Sequence, residues 1–283
     1  MSIETTTTPE GAELLTNLQD GVLLVTFNRP HRLNATTPEM MRAYMQALLD
    51  AGDDPKVKAI VLTGAGGNFC SGVDASVLSG LANDGPRTKK LRRHWFTMRI
   101  PKPIIAAISG HCVGLGLAIA MMCDLRVAGH GARLRAPFAR LGLPAENGLD
   151  WALARSVGYS RAFEILALGE PMVGEELMRL GLVNRVVDDD QVLPQALAMA
   201  RQLATQASPT SLALIKAQLQ RCAHSSLQEA DRLADHLIGH CLKSGDFREA
   251  IAARQDKRSP TFSALPTDPG WWPADQGPVF PEA

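Results

Sequence analysis

Leu62-Thr63-Gly64-Ala65-Gly66-Gly67-Asn68-Phe69-Cys70-Ser71-Gly72-Val73-Asp74, and again Ala106-Ala107-Ile108-Ser109-Gly110-His111-Cys112-Val113-Gly114-Leu115-Gly116, each run an apolar strand into a glycine-rich turn. Apolar residues closed off by glycines read as buried strands ending in tight turns. The second stretch lies within Pro103 to Cys123, a run free of Asp, Glu, Lys and Arg and about long enough to span a bilayer. Ser109, Gly110, His111, Gly114 and Gly116 break that run, so it reads as a strand, a turn and a helix rather than a membrane span. Glycines at 72, 114 and 116 let the main chain approach a ligand closely.

Around these turns the chain is of enzyme size. Its 283 residues are 46% hydrophobic, enough for a substantial core, and 29 Lys plus Arg balance 29 Asp plus Glu. A balanced charge offers no overall field for nucleic acid or an anionic membrane, so an anionic ligand must be met by local cations. Cys70, Cys112, Cys123, Cys222 and Cys241 are odd in number and lack CxxC spacing, which fits reduced thiols in a cytoplasmic protein and neither a disulfide framework nor a metal site. Met1 to Glu10 is polar and Thr-rich, lacks the basic and apolar regions of a secretory signal, and reads as a disordered lead-in.

Strands are expected at Val22 to Phe27, Val57 to Leu62, Ile104 to Ile108 and Leu125 to Ala128. Between the first two, Thr37 offers a cap, Pro38 a first helical residue, and Met41, Tyr44, Met45, Leu48 and Leu49 recur at helical spacing. Alternation of this kind predicts an α/β layered core. After Gly158 the pattern reads as nearly continuous helix, and beyond Pro260 as a Pro- and Gly-rich arm carrying Trp271 and Trp272. The expected organisation is an α/β core over 11–205, a helical region over 206–260 and a Pro-rich tail over 261–283.

Four segments carry a family resemblance. Phe27-Asn28-Arg29-Pro30 with Leu33-Asn34-Ala35 resembles the opening motif of the crotonase (enoyl-CoA hydratase/isomerase) superfamily. The two glycine-rich stretches resemble its two oxyanion loops, in order and spacing, and Asp246 to Phe262 with Lys257-Arg258-Ser259-Pro260 resembles its closing helix. The resemblance implies a crotonase-like ββα spiral with a helical C-terminal trimerisation region, assembled as a homo-trimer or a hexamer. It implies an acyl-CoA thioester as substrate and no separate cofactor, because coenzyme A enters with the substrate. By position, the backbone amides of Val73 and Leu115 would receive the thioester oxygen as it becomes an enolate, and Arg32, Leu33, Ser71, Gly72, Asp74, Gly114 and Phe138 would line the substrate. Gly114-Leu115-Gly116 is no dinucleotide fingerprint: its third glycine position is Ile119, and Asp124 comes too early for the ribose acid.

The acid/base groups depart from the hydratases of that family. Their two glutamates fall at Ala118 and Phe138 here, and neither residue moves a proton. Glu146 falls where isomerases of the superfamily place a catalytic acid, and Asp150 follows four residues later, on the same face if both are helical. The bland reading of Glu146 is a solvated acid before a helix, and of Asp150 a surface residue. His94 lies near the general base of hydrolytic dehalogenases but one residue out of register, and His111 reads as a packed turn residue. Among Arg29, Arg32, Lys89, Lys90, Arg92, Arg93 and Lys216, only Arg32 lies where the family contacts the nucleotide. The expectation is double-bond isomerisation with Glu146 as single acid/base. The alternatives are a divergent hydratase, hydrolase or lyase, and a catalytically weak acyl-CoA-binding homologue.

Overall fold

The computed structural model describes residues 11–84, 94–222 and 225–266, with the backbone alone for Asp84, His94 and Trp95. The lead-in before Gly11, the cations Lys89, Lys90, Arg92 and Arg93, the His94 side chain, and Trp271 and Trp272 lie outside the described residues.

The chain opens with a hairpin that the sequence reading missed. Strand β1 (Leu14–Gln19) pairs antiparallel with β2 (Val22–Phe27) through Asp20 and Gly21, both at positive φ, the geometry of a tight two-residue turn. Helix α1 (Pro38–Asp53) follows, with the Met40 amide donating to the Thr37 hydroxyl at 3.0 Å and Pro38 at its first position, as expected from the cap and proline. Next come β3 (Ala59–Gly64), α2 (Ala75–Asp84), β4 (Ile104–Ile108), β5 (His111–Val113), α3 (Leu115–Met121), β6 (Leu125–Gly129), β7 (Arg133–Arg135), α4 (Leu149–Val157), α5 (Tyr159–Leu168), β8 (Met172–Val173), α6 (Glu175–Arg179) and β9 (Arg185–Val187). Helices α7 (Val192–Gln206), α8 (Pro209–Cys222), α9 (Leu227–Cys241) and α10 (Gly245–Gln255) complete the described chain.

A six-stranded sheet in the order β1-β2-β3-β4-β6-β9 is parallel apart from the opening hairpin, and β5-β7-β8 form a second, three-stranded sheet. The expectation of nearly continuous helix after Gly158 is therefore corrected: β8 and β9 interrupt it, and β9 is the outer strand of the large sheet. These segments are two and three residues long, too short for a period-2 pattern to register.

Alternation along the central strands divides the core. Ile60, Leu62, Ile104, Ala106 and Ile108 face one side with α1, α3 and α4, around the aromatic group Phe27, Tyr44, Phe69 and Phe96. Ala59, Val61, Ile105, Ala107 and Val127 face the other, against the stripe Val192, Ala196, Ala200 and Ala204 of α7. Alanines on both sides let α7 lie close over the sheet. Among the described residues no helix is long and apolar enough to cross a membrane, and the Pro103 to Cys123 run divides into β4, β5 and α3 as expected.

Candidate active site

The C-terminal ends of β2, β3 and β4 bring three loops together. The first, at 29–36, is bent by Leu33 and Asn34, both at left-handed φ (49° and 56°). Asn tolerates this conformation better than most residues, and here it is fully buried. Its Oδ1 accepts from the Arg29 amide at 2.8 Å, and its Nδ2 donates to the carbonyls of Ala65 at 2.9 Å and Asn68 at 2.5 Å. The carboxamide fills the room left by Gly64: a methyl group built there would meet Asn68 O at 1.9 Å and Asn34 Nδ2 at 2.6 Å. The sequence places Asn34 in the opening motif without giving it a role of its own. The available signal was an Asn in a turn, a type that tolerates φ > 0 and carries both donor and acceptor.

The two glycine-rich stretches are stitched to one another. Phe69 N donates to Ser109 O at 2.8 Å, Cys70 N to His111 O at 2.9 Å and Val113 N to Cys70 O at 2.9 Å, while His111 N donates to the Asn68 side chain. Gly116 is required by packing, since a methyl group there would stand 2.3 Å from Cys70 O. A methyl group on Gly72 would lie 3.0 Å from Val113 O and 3.9 Å from Leu115 N, so the Gly72–Val73 peptide lies against the second turn.

Peptide planarity then sets the direction of two amides. Thr36 N donates to Gly72 O at 2.7 Å, and in a trans peptide the C=O and the following N–H point opposite ways. The Val73 N–H is thereby turned away from the 33–36 loop. In the second turn Gly114 O accepts from Ala118 N at 3.0 Å, which directs the Leu115 N–H out of the start of α3. Among the described residues neither amide donates to a protein acceptor. Gly114 itself, at φ 55° and ψ −113°, occupies a backbone region closed to L side chains.

Charge around this junction is mostly committed. Arg29 bridges Glu13 and Asp74, each at 3.0 Å. Asp74 also accepts from the Ser76 amide and hydroxyl, and these bonds, followed by Arg29, pull its carboxyl down to about 2. Its carboxylate thus holds the start of α2. Ser71 donates from its amide to Leu33 O and from its hydroxyl to Arg32 O, which ties Arg32 and Leu33 to the same junction. The Arg32 residue is exposed. Lys216 is withdrawn from ligand duty altogether: it is 8% exposed and its ammonium reaches Asp124, Thr97 O and Lys102 O. Burial pushes the Cys70 thiol up to about 12, so it stays protonated and unreactive at neutral pH.

Ala118 is fully buried and Phe138 is 5% exposed, both inside the main core. Glu146 is an exposed residue whose carboxyl nonetheless has enough protein around it that desolvation raises its pKa above the ordinary 4.5. Among the described residues it has no ion pair. The shared helical face expected for Glu146 and Asp150 does not exist: Asn147 and Gly148 are both left-handed, and α4 begins only at Leu149. Asp150 lies exposed in the first turn of α4. Helix α4 packs on α3, with Gly148 against Met122.

The fold is thus a mostly parallel α/β sheet whose two glycine-rich turns meet with the Val73 and Leu115 amides free of protein acceptors among the described residues, and comparison with known proteins gives the family. The family model for enoyl-CoA hydratase/isomerase matches residues 17–264. The probable enoyl-CoA hydratase EchA12 of Mycobacterium tuberculosis is 36% identical over 252 residues, 84% of this chain and 88% of that one. The 1,2-epoxyphenylacetyl-CoA isomerase of Escherichia coli is 32% identical over 267 residues, 88% of this chain and 98% of that one. Among solved structures, an enoyl-CoA hydratase from Polaromonas superposes with a TM-score of 0.83 at 30% identity, over 88% of this chain and 99% of that one. The chain is a member of the enoyl-CoA hydratase/isomerase family, within the crotonase superfamily.

Proposed function

We propose that the protein shifts the double bond of an enoyl-CoA thioester, with Glu146 as its single acid/base and the amides of Val73 and Leu115 as the oxyanion donors. The observation that carries the reading is the Glu146 carboxyl, which among the described residues has no ion pair and has its pKa raised by desolvation, while Ala118 on α3 and Phe138 just before the 139–141 turn, the positions matched to the family's glutamates, are apolar and buried. A carboxylate with a raised pKa both takes and returns a proton more readily near neutral pH.

In this reading Glu146 takes a proton from C2 of a 3-enoyl-CoA. The electron pair moves onto the thioester oxygen, where two amide donors worth about 3 kcal/mol each hold the dienolate. Glu146 then returns the proton at C4, leaving the 2-enoyl isomer. Arg32 stands exposed at the rim for the coenzyme A phosphates, and Phe138 keeps the acyl side apolar.

The test is turnover of a panel of 3-enoyl-CoA and 2-enoyl-CoA thioesters by the wild-type protein and Glu146→Gln, with isomerisation and hydration followed separately. Isomerisation should fall by about 10²–10⁴-fold in the variant. Hydration alone, or unchanged isomerisation in Glu146→Gln, would refute the proposal and turn attention to Asp150 and His94.

A further inference from the structure

The 33–36 loop touches the peptide units on both sides of Val73. Ser71 N donates to Leu33 O at 3.0 Å, Thr36 N to Gly72 O at 2.7 Å, and Asp74 N to Thr36 O at 3.0 Å. The direction of the Val73 N–H is thus set from this loop rather than from the strand that precedes it. Thr36 acts with backbone atoms, so the residue that anchors the loop itself must be sought one step back. Asn34 is that anchor: a buried side chain, at φ 56°, binding Arg29 N on one side and Ala65 O and Asn68 O on the other.

We infer that Asn34 is a positioning residue for the thioester oxygen, holding the 33–36 loop and the 65–68 turn in the register that aims the Val73 amide at the substrate. The inference rests on the proposed pair of donors and adds to it. Its three bonds close two gaps. The Arg29 bond fixes the entry of the loop, and the two carbonyl bonds fix the turn that leads through Phe69 and Cys70 to Gly72. Gly64 is the complement, since any side chain there would expel the carboxamide. Asn34→Asp keeps the size and the acceptor but sets a carboxylate oxygen against the Ala65 and Asn68 carbonyls. Asn34→Gly removes the side chain while accepting the left-handed backbone without strain.

A chromophoric thioester separates positioning from mere folding. 2,4-Hexadienoyl-CoA absorbs at longer wavelength when hydrogen bonds polarise its carbonyl, and the shift per bound ligand is independent of how much protein is folded. The measurement is made in a Glu146→Gln background, in which isomerisation is slowed about 10²–10⁴-fold. The expected result is a red shift in the background variant that falls by about half or more with Asn34→Asp and Asn34→Gly, while the dissociation constant changes by less than about threefold. With Glu146 restored, kcat should fall about tenfold or more with KM nearly constant, the mark of an interaction made in the transition state. A red shift that survives both Asn34 substitutions overturns the inference and leaves the proposed function standing. A background variant that binds without any red shift overturns both. Failure of both Asn34 variants to fold assigns Asn34 to the fold alone and also overturns it.

Discussion

Lys216→Met cuts the charged tether between α8 and the core, and its cost can be worked from the contacts. The Lys216 ammonium donates to Asp124 Oδ2 at 2.8 Å, Thr97 O at 3.2 Å and Lys102 O at 3.3 Å, with the lysine side chain 8% exposed and that of Asp124 30% exposed. Breaking a buried pair by removing one partner costs about 3–5 kcal/mol, mostly through the orphaned charge. Asp124 is partly wetted and keeps its bond from Ile104 N at 2.8 Å, so the low end applies, about 3 kcal/mol. An unfolding entropy of about 2.1 cal/mol/K per residue over 283 residues makes this a fall in Tm of roughly 5 °C. The assay is thermal unfolding by calorimetry at pH 7 and one fixed protein concentration, because any self-association makes Tm concentration-dependent. Asn at 124 still accepts from Ile104 N but carries no charge. Lys216→Met/Asp124→Asn should therefore recover about 1–2 kcal/mol over the sum of the single changes. A fall in Tm under about 1 °C, or strict additivity in the cycle, would refute the reasoning.

Three further outcomes follow from the same geometry. Because desolvation raises the Glu146 pKa, its basic form is lost at a higher pH than for an ordinary glutamate. The acid limb of kcat/KM for isomerisation should have its midpoint above 4.5, and a midpoint at or below that value would count against Glu146 as the base. Gly116→Ala should cost about 3 kcal/mol or more, measured by urea unfolding, since the new methyl group would stand 2.3 Å from Cys70 O in a junction with no room to yield. Asp74 is held near 2 in the folded protein against 3.8 for a free side chain, so it stabilises the fold above pH 3.8 and loses that contribution as pH falls toward 2. The stability gap between wild type and Asp74→Asn should shrink over that window, and a gap independent of pH would show that the Asp74 charge is not coupled to folding.

Much of the core was legible along the chain. Strand Val22–Phe27 and strand Ile104–Ile108 occur where their apolar runs place them, and α1 starts at the Thr37 cap and Pro38. These are local signals: periodicity, capping and a fixed proline φ act within a few residues. The hairpin strand Leu14–Gln19 alternates weakly, and β5, β7, β8 and β9 span two or three residues each, so pairing with distant strands makes them and no local pattern does.

The sequence by itself determined the family, through the order of its opening motif and two glycine turns, and its resemblance to the hydratases matches their glutamates to Ala118 and Phe138. It also marked Glu146 as the carboxylate to consider. Tertiary structure alone decided the rest. It broke the expected Glu146–Asp150 helical face with two left-handed residues, because α4 can start only where the chain turns inward at buried Leu149. It withdrew Lys216 to a buried pair with Asp124, and Asp74 to the start of α2. It gave Asn34 three partners from 5 to 34 residues away. For Lys216 and Asn34 the physical reason is shared: a polar side chain's role depends on which distant backbone groups need a partner once the core has closed, and that demand exists only in the folded chain.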